Sequence, residues 1–249
     1  MLTEERQRRI TEYVNEHKIC RVSELCELTS TSESTIRRDL SEMEDRGLLK
    51  RVHGGAESIK GFGQDVAQNI RFNLNRDEKA AIAREAVSHV HPNDYVFLDA
   101  GTTIYEMVPF LKEIAGLHVV TTGIDTALAC TDAGIDTCLL GGKIKQETHA
   151  IIGAAALDRL RRLNFNAAFI GANAMSREGT LTTPDTEEAS IKQAAIEQSQ
   201  AAYVLIDHSK FDAVTFAEFA NVQQVVVITR LKAADRRKMP ANIQLEEAE

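Results

Sequence analysis

From Tyr95 to Ile228 the chain alternates short β-rich runs with helix-like stretches, and no other feature restricts the fold as strongly. Tyr95 to Leu98, Val119 to Thr121, Thr137 to Leu140, Ala167 to Ile170, Tyr203 to Ile206 and Val225 to Ile228 read as buried strands, with helices between most of them. A parallel pair of strands needs a crossover long enough for a helix, and this spacing supplies one. Residues 76–249 are therefore expected to form an α/β domain with a mainly parallel sheet, its ligand at the carboxyl ends of the strands. Its first helix starts near Asp77, where Ala80, Ile82, Ala83, Ala86, Val87 and Val90 make a small apolar face.

The strand ends carry groups suited to an anion. "DAGTT" offers Asp99 and then Gly101, Thr102 and Thr103, whose amides and hydroxyls can surround a phosphate where the next helix starts. "TTG" at Thr121 to Gly123 and the pair Gly141 and Gly142 close two further strands. "GTLTTPDTEEASIK" puts Thr182 and Thr183 before a helix that begins near Pro184 and carries Glu187, Glu188 and Lys192. "DHSKFD" presents Lys210 just after the strand "YVLI". A glycine pair or a single lysine is equally at home in a tight turn or a solvated loop. Three such loops on successive strands make the stronger pattern.

Ahead of this domain stands a different one. Ile10, Tyr13 and Val14 repeat at helical spacing, with Thr3 placed to cap the helix; Val22, Leu25 and Cys26 mark a short second helix. Ser32 or Thr31 can cap a third, whose buried face is Ile36, Leu40 and Met43 and which Gly47 ends. "LLKRV" then runs extended into "HGG", a suitable hairpin tip. On a helical wheel at about 100° per residue, Ser34, Arg38 and Ser41 point away from the apolar face, flanked by Thr35 and Arg37. Such a small, hydroxylated, cationic surface suits the major groove of DNA, with Lys50, Arg51 and His53 on the hairpin reaching the adjoining backbone. A solvated face of paired arginines and glutamates is the plainer alternative, but three short helices followed by a basic hairpin favour DNA.

Charge supports the division. The chain of 249 residues has a net charge of -8, and residues 1–60 account for only -1 of it, with 11 Lys+Arg against 12 Asp+Glu. The acidity thus lies mainly beyond the DNA-binding half. Cys20, Cys26, Cys130 and Cys138 show no CxxC or metal-ligand spacing, as expected of reduced thiols in the cytoplasm. No apolar run approaches the roughly 20 residues of a membrane span. Neither a metal nor a cofactor is expected.

At the quoted residues the chain resembles a known family. "TIRRDL" at Thr35 to Leu40 and the G-L-L-x-R-x-HGGA pattern at Gly47 to Ala56 are similar to the winged helix-turn-helix of the DeoR family of bacterial transcriptional repressors. "LDAGTT", "LLGG", "GTLTTPDTEEASIK" and "DHSKF" resemble that family's sugar-phosphate sensor domain, similar in fold to ribose-5-phosphate isomerase. The resemblance implies an α+β winged helix-turn-helix domain at 1–57 (the motif itself at about 20–39), a linker at 58–75 and a sensing and oligomerisation domain at 76–249. It implies that Ser34, Thr35, Arg37, Arg38, Arg51 and His53 contact DNA. By the same analogy Asp99, Gly101, Thr102, Thr103, Gly141, Gly142, Thr183, Glu187, Lys192 and Lys210 line the effector site. "TSTSE" replaces the family's usual leucine-glycine-valine-serine turn, "VTTG" stands where valine-threonine-asparagine is common and Asp212 stands where glycine is. The function implied is repression of a sugar-utilisation operon, with release from double-stranded operator DNA by a phosphorylated sugar. Homodimers or homotetramers are expected, because one helix-turn-helix covers a single half-site. The alternative is an isomerase-like enzyme carrying a DNA-binding domain, with Glu187 as a conceivable base.

Overall fold

A computed structural model describes residues 2–45, 48–58, 68–231 and 235–249. The chain divides into two compact units, 1–71 and 72–249. In the first, helices Thr3–His17, Val22–Thr29 and Glu33–Asp45 precede an antiparallel hairpin of Lys50–Val52 and Gly55–Glu57. Of the apolar residues at helical spacing, Ile10, Val14, Val22, Leu25, Ile36, Leu40 and Met43 are buried, while Tyr13 and Cys26 are half-buried. Thr3 opens its helix rather than capping it: Leu2 occupies the cap position without a side-chain hydrogen bond.

A third strand, Ile19–Arg21, pairs with Gly55–Glu57 and was not anticipated, because three residues are too few to show a period. It accounts for the second glycine of "HGG". A Cβ on Gly55 would lie 2.0 Å from the Cys20 carbonyl oxygen, so the strands can pair only where that side chain is missing. Gly54 turns the chain at φ +79°. Gly47, expected to end the third helix, lies outside the described residues, as do 59–67 of the expected linker. The described remainder of 58–75 is not irregular throughout, since Gln68–Asn73 forms a short helix.

Among the described residues of this unit, one charged pair is buried. The Arg6 Nε donates to Asp39 Oδ2 at 2.6 Å and its Nη2 to Oδ1 at 3.1 Å, with both residues buried. This bidentate bond joins the first helix to the third, and its hydrogen bond to Asp39 raises the Arg6 pKa despite burial.

The second unit is built on seven parallel strands. In spatial order they are Gln244–Glu247, Val226–Thr229, Ser199–Leu205, Phe165–Gly171, Tyr95–Leu98, His118–Thr121 and Asp136–Leu139. Six match the expected strands, and Gln244–Glu247 is additional: its glutamates hide an edge strand from a hydrophobicity pattern. The chain begins at Tyr95–Leu98, moves outward through His118–Thr121 to Asp136–Leu139, then returns to Phe165–Gly171 on the other side of the first strand. The order therefore reverses between Tyr95–Leu98 and Phe165–Gly171, opening the crevice where such sheets bind ligands.

Alternation along the strands feeds two cores. Val96 and Leu98 pack with Ile82 and Ala86 of helix Arg76–Val87 on one face, while Phe97 packs with Ile191 and Ala195 of helix Thr186–Glu197 on the other. Two smaller antiparallel elements were not foreseen. One joins Ala174–Met175, Thr180–Thr183 and Ala217–Asn221; the other is a hairpin of Lys143–Lys145 with Ala150–Ile152. Among the described residues no helix is long and apolar enough to cross a membrane.

Candidate functional site

On the third helix of the first unit, Ser34, Arg37 and Arg38 are exposed and Thr35 is half-buried. The Ser32 hydroxyl lies 3.0 Å from that of Ser34 and 3.1 Å from that of Thr35, forming a hydroxyl cluster at the helix start. Arg37 reaches Glu33 at 3.1 Å and Arg38 reaches Glu42 at 4.0 Å, both one turn away on the exposed surface. Exposed pairs of this spacing contribute only about 0.3–0.5 kcal/mol, whereas a bidentate arginine–guanine contact discriminates by about 1–3 kcal/mol. The plainer reading is thus physically present, and too weak to keep either arginine from DNA. Lys50 and His53 are exposed on the hairpin. Arg51 is engaged with the helix: its amide donates to Glu44 at 2.7 Å and its Nη1 to the Ser41 hydroxyl at 2.6 Å. Those two bonds brace the hairpin against the helix.

In the second unit, buried charges meet at the crevice. Asp99 follows Tyr95–Leu98, and its Oδ2 accepts the Gly171 amide at 3.0 Å and the Lys192 ammonium. Lys192 also donates to the Gly171 carbonyl at 3.0 Å, so one lysine closes a bridge between the two strand ends. A Cβ on Gly171 would lie 3.7 Å from the Gly101 Cα and 3.5 Å from Asp99 Oδ2, leaving the approach lined by backbone. From the opposite face, the buried Lys79 donates to the Thr102 hydroxyl at 2.9 Å. Thr103 is buried beside it.

The neighbouring carboxylates are each held. The Thr183 hydroxyl donates to Glu188 Oε2 at 3.0 Å, while Glu188 Oε1 takes the Thr148 hydroxyl at 2.7 Å and stands 3.4 Å from Lys145. Asp185 caps helix Thr186–Glu197 by accepting the amides of Glu187 and Glu188. Burial opposes the charge on Asp185, but the Glu188 amide and Lys145 keep its pKa below the ordinary value. That helix, expected to begin near Pro184, thus starts at Thr186 with the protein's own carboxylate on its free amides. Asp207 Oδ1 accepts the Ser209 amide and the Asn75 side chain, each at 2.9 Å. Burial raises the Asp207 pKa, yet Lys210, Ser209 and Lys79 more than offset this and bring it down to about 2.

The expected site residues are thus distributed unevenly. Asp99, Gly101, Thr102, Thr103 and Lys192 gather at the reversal point, and Thr183 lies in the adjoining antiparallel sheet. Lys210 is half-buried in the turn His208–Lys210, near enough to act on Asp207. Gly141 and Gly142 are exposed at the end of the edge strand. There Gly142 answers a packing need, since its Cβ would meet the Ile152 carbonyl oxygen at 2.6 Å. Glu187 is exposed, and its neighbour Glu188 is the one turned inward.

Comparison with known proteins agrees with this two-part architecture. A family model described as the DeoR C terminal sensor domain matches residues 74–230, and one described as the DeoR-like helix-turn-helix domain matches residues 6–62. The chain belongs to the DeoR family. It is 41% identical over 229 residues to the uncharacterized HTH-type transcriptional regulator FruR of Bacillus subtilis, covering 92% of this chain and 91% of that one. It is 34% identical to the HTH-type transcriptional regulator GlpR of Haloferax volcanii, over 90% of this chain and 88% of that one. The lactose phosphotransferase system repressor of Staphylococcus aureus is 31% identical, covering 90% of each chain. Among solved structures, ribose 5-phosphate isomerase A from Methanocaldococcus jannaschii aligns with a TM-score of 0.41 at 18% identity, over 55% of this chain and 54% of that one. The family assignment does not rest on it.

Several residues beside the expected set were not assigned to the site: Asn75, Lys79, Lys145, Thr148 and Asp207, with Glu188 named only as a charge near the start of its helix. Two of them carried a signal. Lys79 stands on the stripe continued by Ile82, Ala83 and Ala86, and Glu188 on that continued by Ile191 and Ala195. A charge on the buried stripe of an amphipathic helix needs a buried partner.

Proposed function

We propose that the chain is a cytoplasmic, homo-oligomeric repressor of a sugar-utilisation operon, and that a phosphorylated sugar bound at the reversal point of its sheet releases it from double-stranded operator DNA. The helix Glu33–Asp45 enters the major groove through Ser34, Thr35, Arg37 and Arg38, while Lys50 and His53 meet the backbone and Arg51 holds the hairpin in place. The observation that carries the reading is the pair of buried ammonium groups, Lys79 and Lys192, at two glycine-lined strand ends next to buried threonine hydroxyls. A phosphate dianion takes charge-assisted hydrogen bonds from such groups, and the remaining hydroxyls and carboxylates suit a polyol. We place domain boundaries near 57 and 76, with copies associating through the second unit.

A sensing role, rather than isomerisation, is supported by the state of the carboxylates. Asp99 is tied to Lys192 and Gly171, Glu188 to two threonines and Lys145, and Glu187 is exposed. The relatives named above are transcriptional regulators.

The test is a gel-shift titration of the operator with fructose, tagatose and glycerol phosphates, run on wild type and Thr102→Asp. Wild type is expected to release DNA with one of them. The added carboxylate beside Lys79 should abolish that response while leaving operator binding. A normal response in Thr102→Asp, or no response of wild type to any phosphate, would refute the site.

A further inference from the structure

The short helix Gln68–Asn73 passes directly into helix Arg76–Val87, and the residues at this junction are fastened to the proposed site on two sides. Toward the loop at the first strand end, the Phe72 ring packs edge-on against Tyr105 with centroids 4.8 Å apart, Arg76 stands 3.6 Å from Glu106, and Lys79 donates to Thr102. Toward the loop after Ser199–Leu205, the Asn75 amide donates to Asp207 at 2.9 Å. Glu78 takes the His208 amide at 2.7 Å and meets its ring Nδ1 at 2.6 Å. Five of the eight residues 72–79 therefore grip the two segments that flank the crevice. Residues 72–79 are also the first of the second unit and join it covalently to the preceding chain.

We propose that residues 72–79 are the coupling element of the repressor, a clamp whose grip on the short helix Thr102–Tyr105 with Glu106, and on residues 207–208, holds the operator-binding state and is loosened when a phosphate engages Lys79. This rests on the effector reading above. A phosphate dianion is a stronger acceptor than a neutral hydroxyl, so it draws the Lys79 ammonium away from Thr102. The helix that carries Lys79 also carries Glu78, and Asn75 stands at its cap. A shift at one of these contacts is therefore transmitted to the others as a rigid body. Asn75 and Glu78 act here as positioning residues.

Linkage gives the clamp a signature that a general folding defect lacks. If the ligand binds better once the clamp is loosened, loosening it by mutation must weaken the operator complex and tighten the effector complex together. The test uses the full chain carrying Glu78→Ala, with operator affinity measured by gel shift without ligand and fructose 1-phosphate affinity by calorimetry without DNA. Operator affinity is expected to fall about tenfold and sugar-phosphate affinity to rise by up to the same factor. Asn75→Gly is the second variant, chosen because Asn75 has φ +53°, which glycine adopts without strain. It is expected to act in the same direction even where Glu78→Ala fails to fold.

Weakening of both affinities, or change in neither, overturns the clamp. If wild type binds no sugar phosphate, the effector reading fails separately, and the operator arm still judges the clamp. In that case weakened operator binding by a variant with wild-type melting supports it, and unchanged binding overturns it.

Discussion

The buried Arg6–Asp39 pair sets a sharp condition on the DNA-binding unit. Asp39 stands between Ile36, Leu40 and Met43 on the inner face of the third helix, with no measurable exposure. Replacing it by alanine removes both carboxylate acceptors of the bidentate bond from the buried Arg6 guanidinium, leaving Thr3 at 3.4 Å, and breaking such a pair costs about 3–5 kcal/mol. A unit of about 60 residues has only about 3–9 kcal/mol in total, at 0.05–0.15 kcal/mol per residue. Asp39→Ala should therefore remove most of that stability, lowering the melting midpoint of the first unit by well over about 10 °C. The assay is thermal unfolding of the full chain followed by circular dichroism, with limited proteolysis to assign each transition to a unit. Operator binding should vanish at temperatures where the second unit is still folded. The double replacement Arg6→Met with Asp39→Leu removes both charges and fills the space, and should recover most of the loss, because an apolar pair avoids the desolvation that the ions incur. A cost below about 1 kcal/mol for Asp39→Ala would refute the reasoning.

Three further outcomes follow from the geometry. Arg38→Ala should lose about 1–3 kcal/mol of operator affinity in a sequence-dependent way, whereas Lys50→Ala should weaken binding evenly and lower the salt slope; gel shifts at two salt concentrations separate them. Asp207, with its pKa held down to about 2, contributes about 2 kcal/mol that is fully present above about pH 4 and is lost as the pH falls toward 2. Urea unfolding of Asp207→Asn should therefore fall below wild type at pH 7 and converge with it near pH 2. Lys192→Met strands the buried Asp99 carboxylate, so it should destabilise the second unit by about 3–5 kcal/mol and abolish the response to sugar phosphate; unaltered melting would show that Asp99 has another partner.

What the sequence disclosed, and what it hid, divides by the range of the interaction. The helix faces of Ile10 and Val14 or of Ile36, Leu40 and Met43, and six of the seven strands, follow from periodicities a few residues long. Strand order does not, because the return from Asp136–Leu139 to a place beside Tyr95–Leu98 is a long-range pairing with no local pattern. The same distinction sorts the site. Asp99, Gly101 and Thr102 could be named as candidates because ligands gather at strand ends, and those ends can be located locally. Lys79 could not, and Glu188 stood out only as a charge near a helix start, since both reach the proposed site from helices whose position over the sheet is a tertiary fact. Arg6 and Asp39, 33 residues apart, were hidden for that reason too. Yet Asp39, Lys79 and Glu188 share one local anomaly, a charge on the apolar stripe of a helix. A stripe of that kind buries whatever stands on it, and burying an unpaired ion costs more than a small domain can sustain. Each such charge therefore requires a partner from elsewhere in the chain, so the requirement is local even though the partner is not. Asp39 meets it with Arg6, Glu188 with Lys145 and two threonine hydroxyls, and Lys79 with Thr102 and the field of Asp207. The anomaly that marks a structural ion pair in the first unit thus marks, in the second, the rim of the proposed effector site.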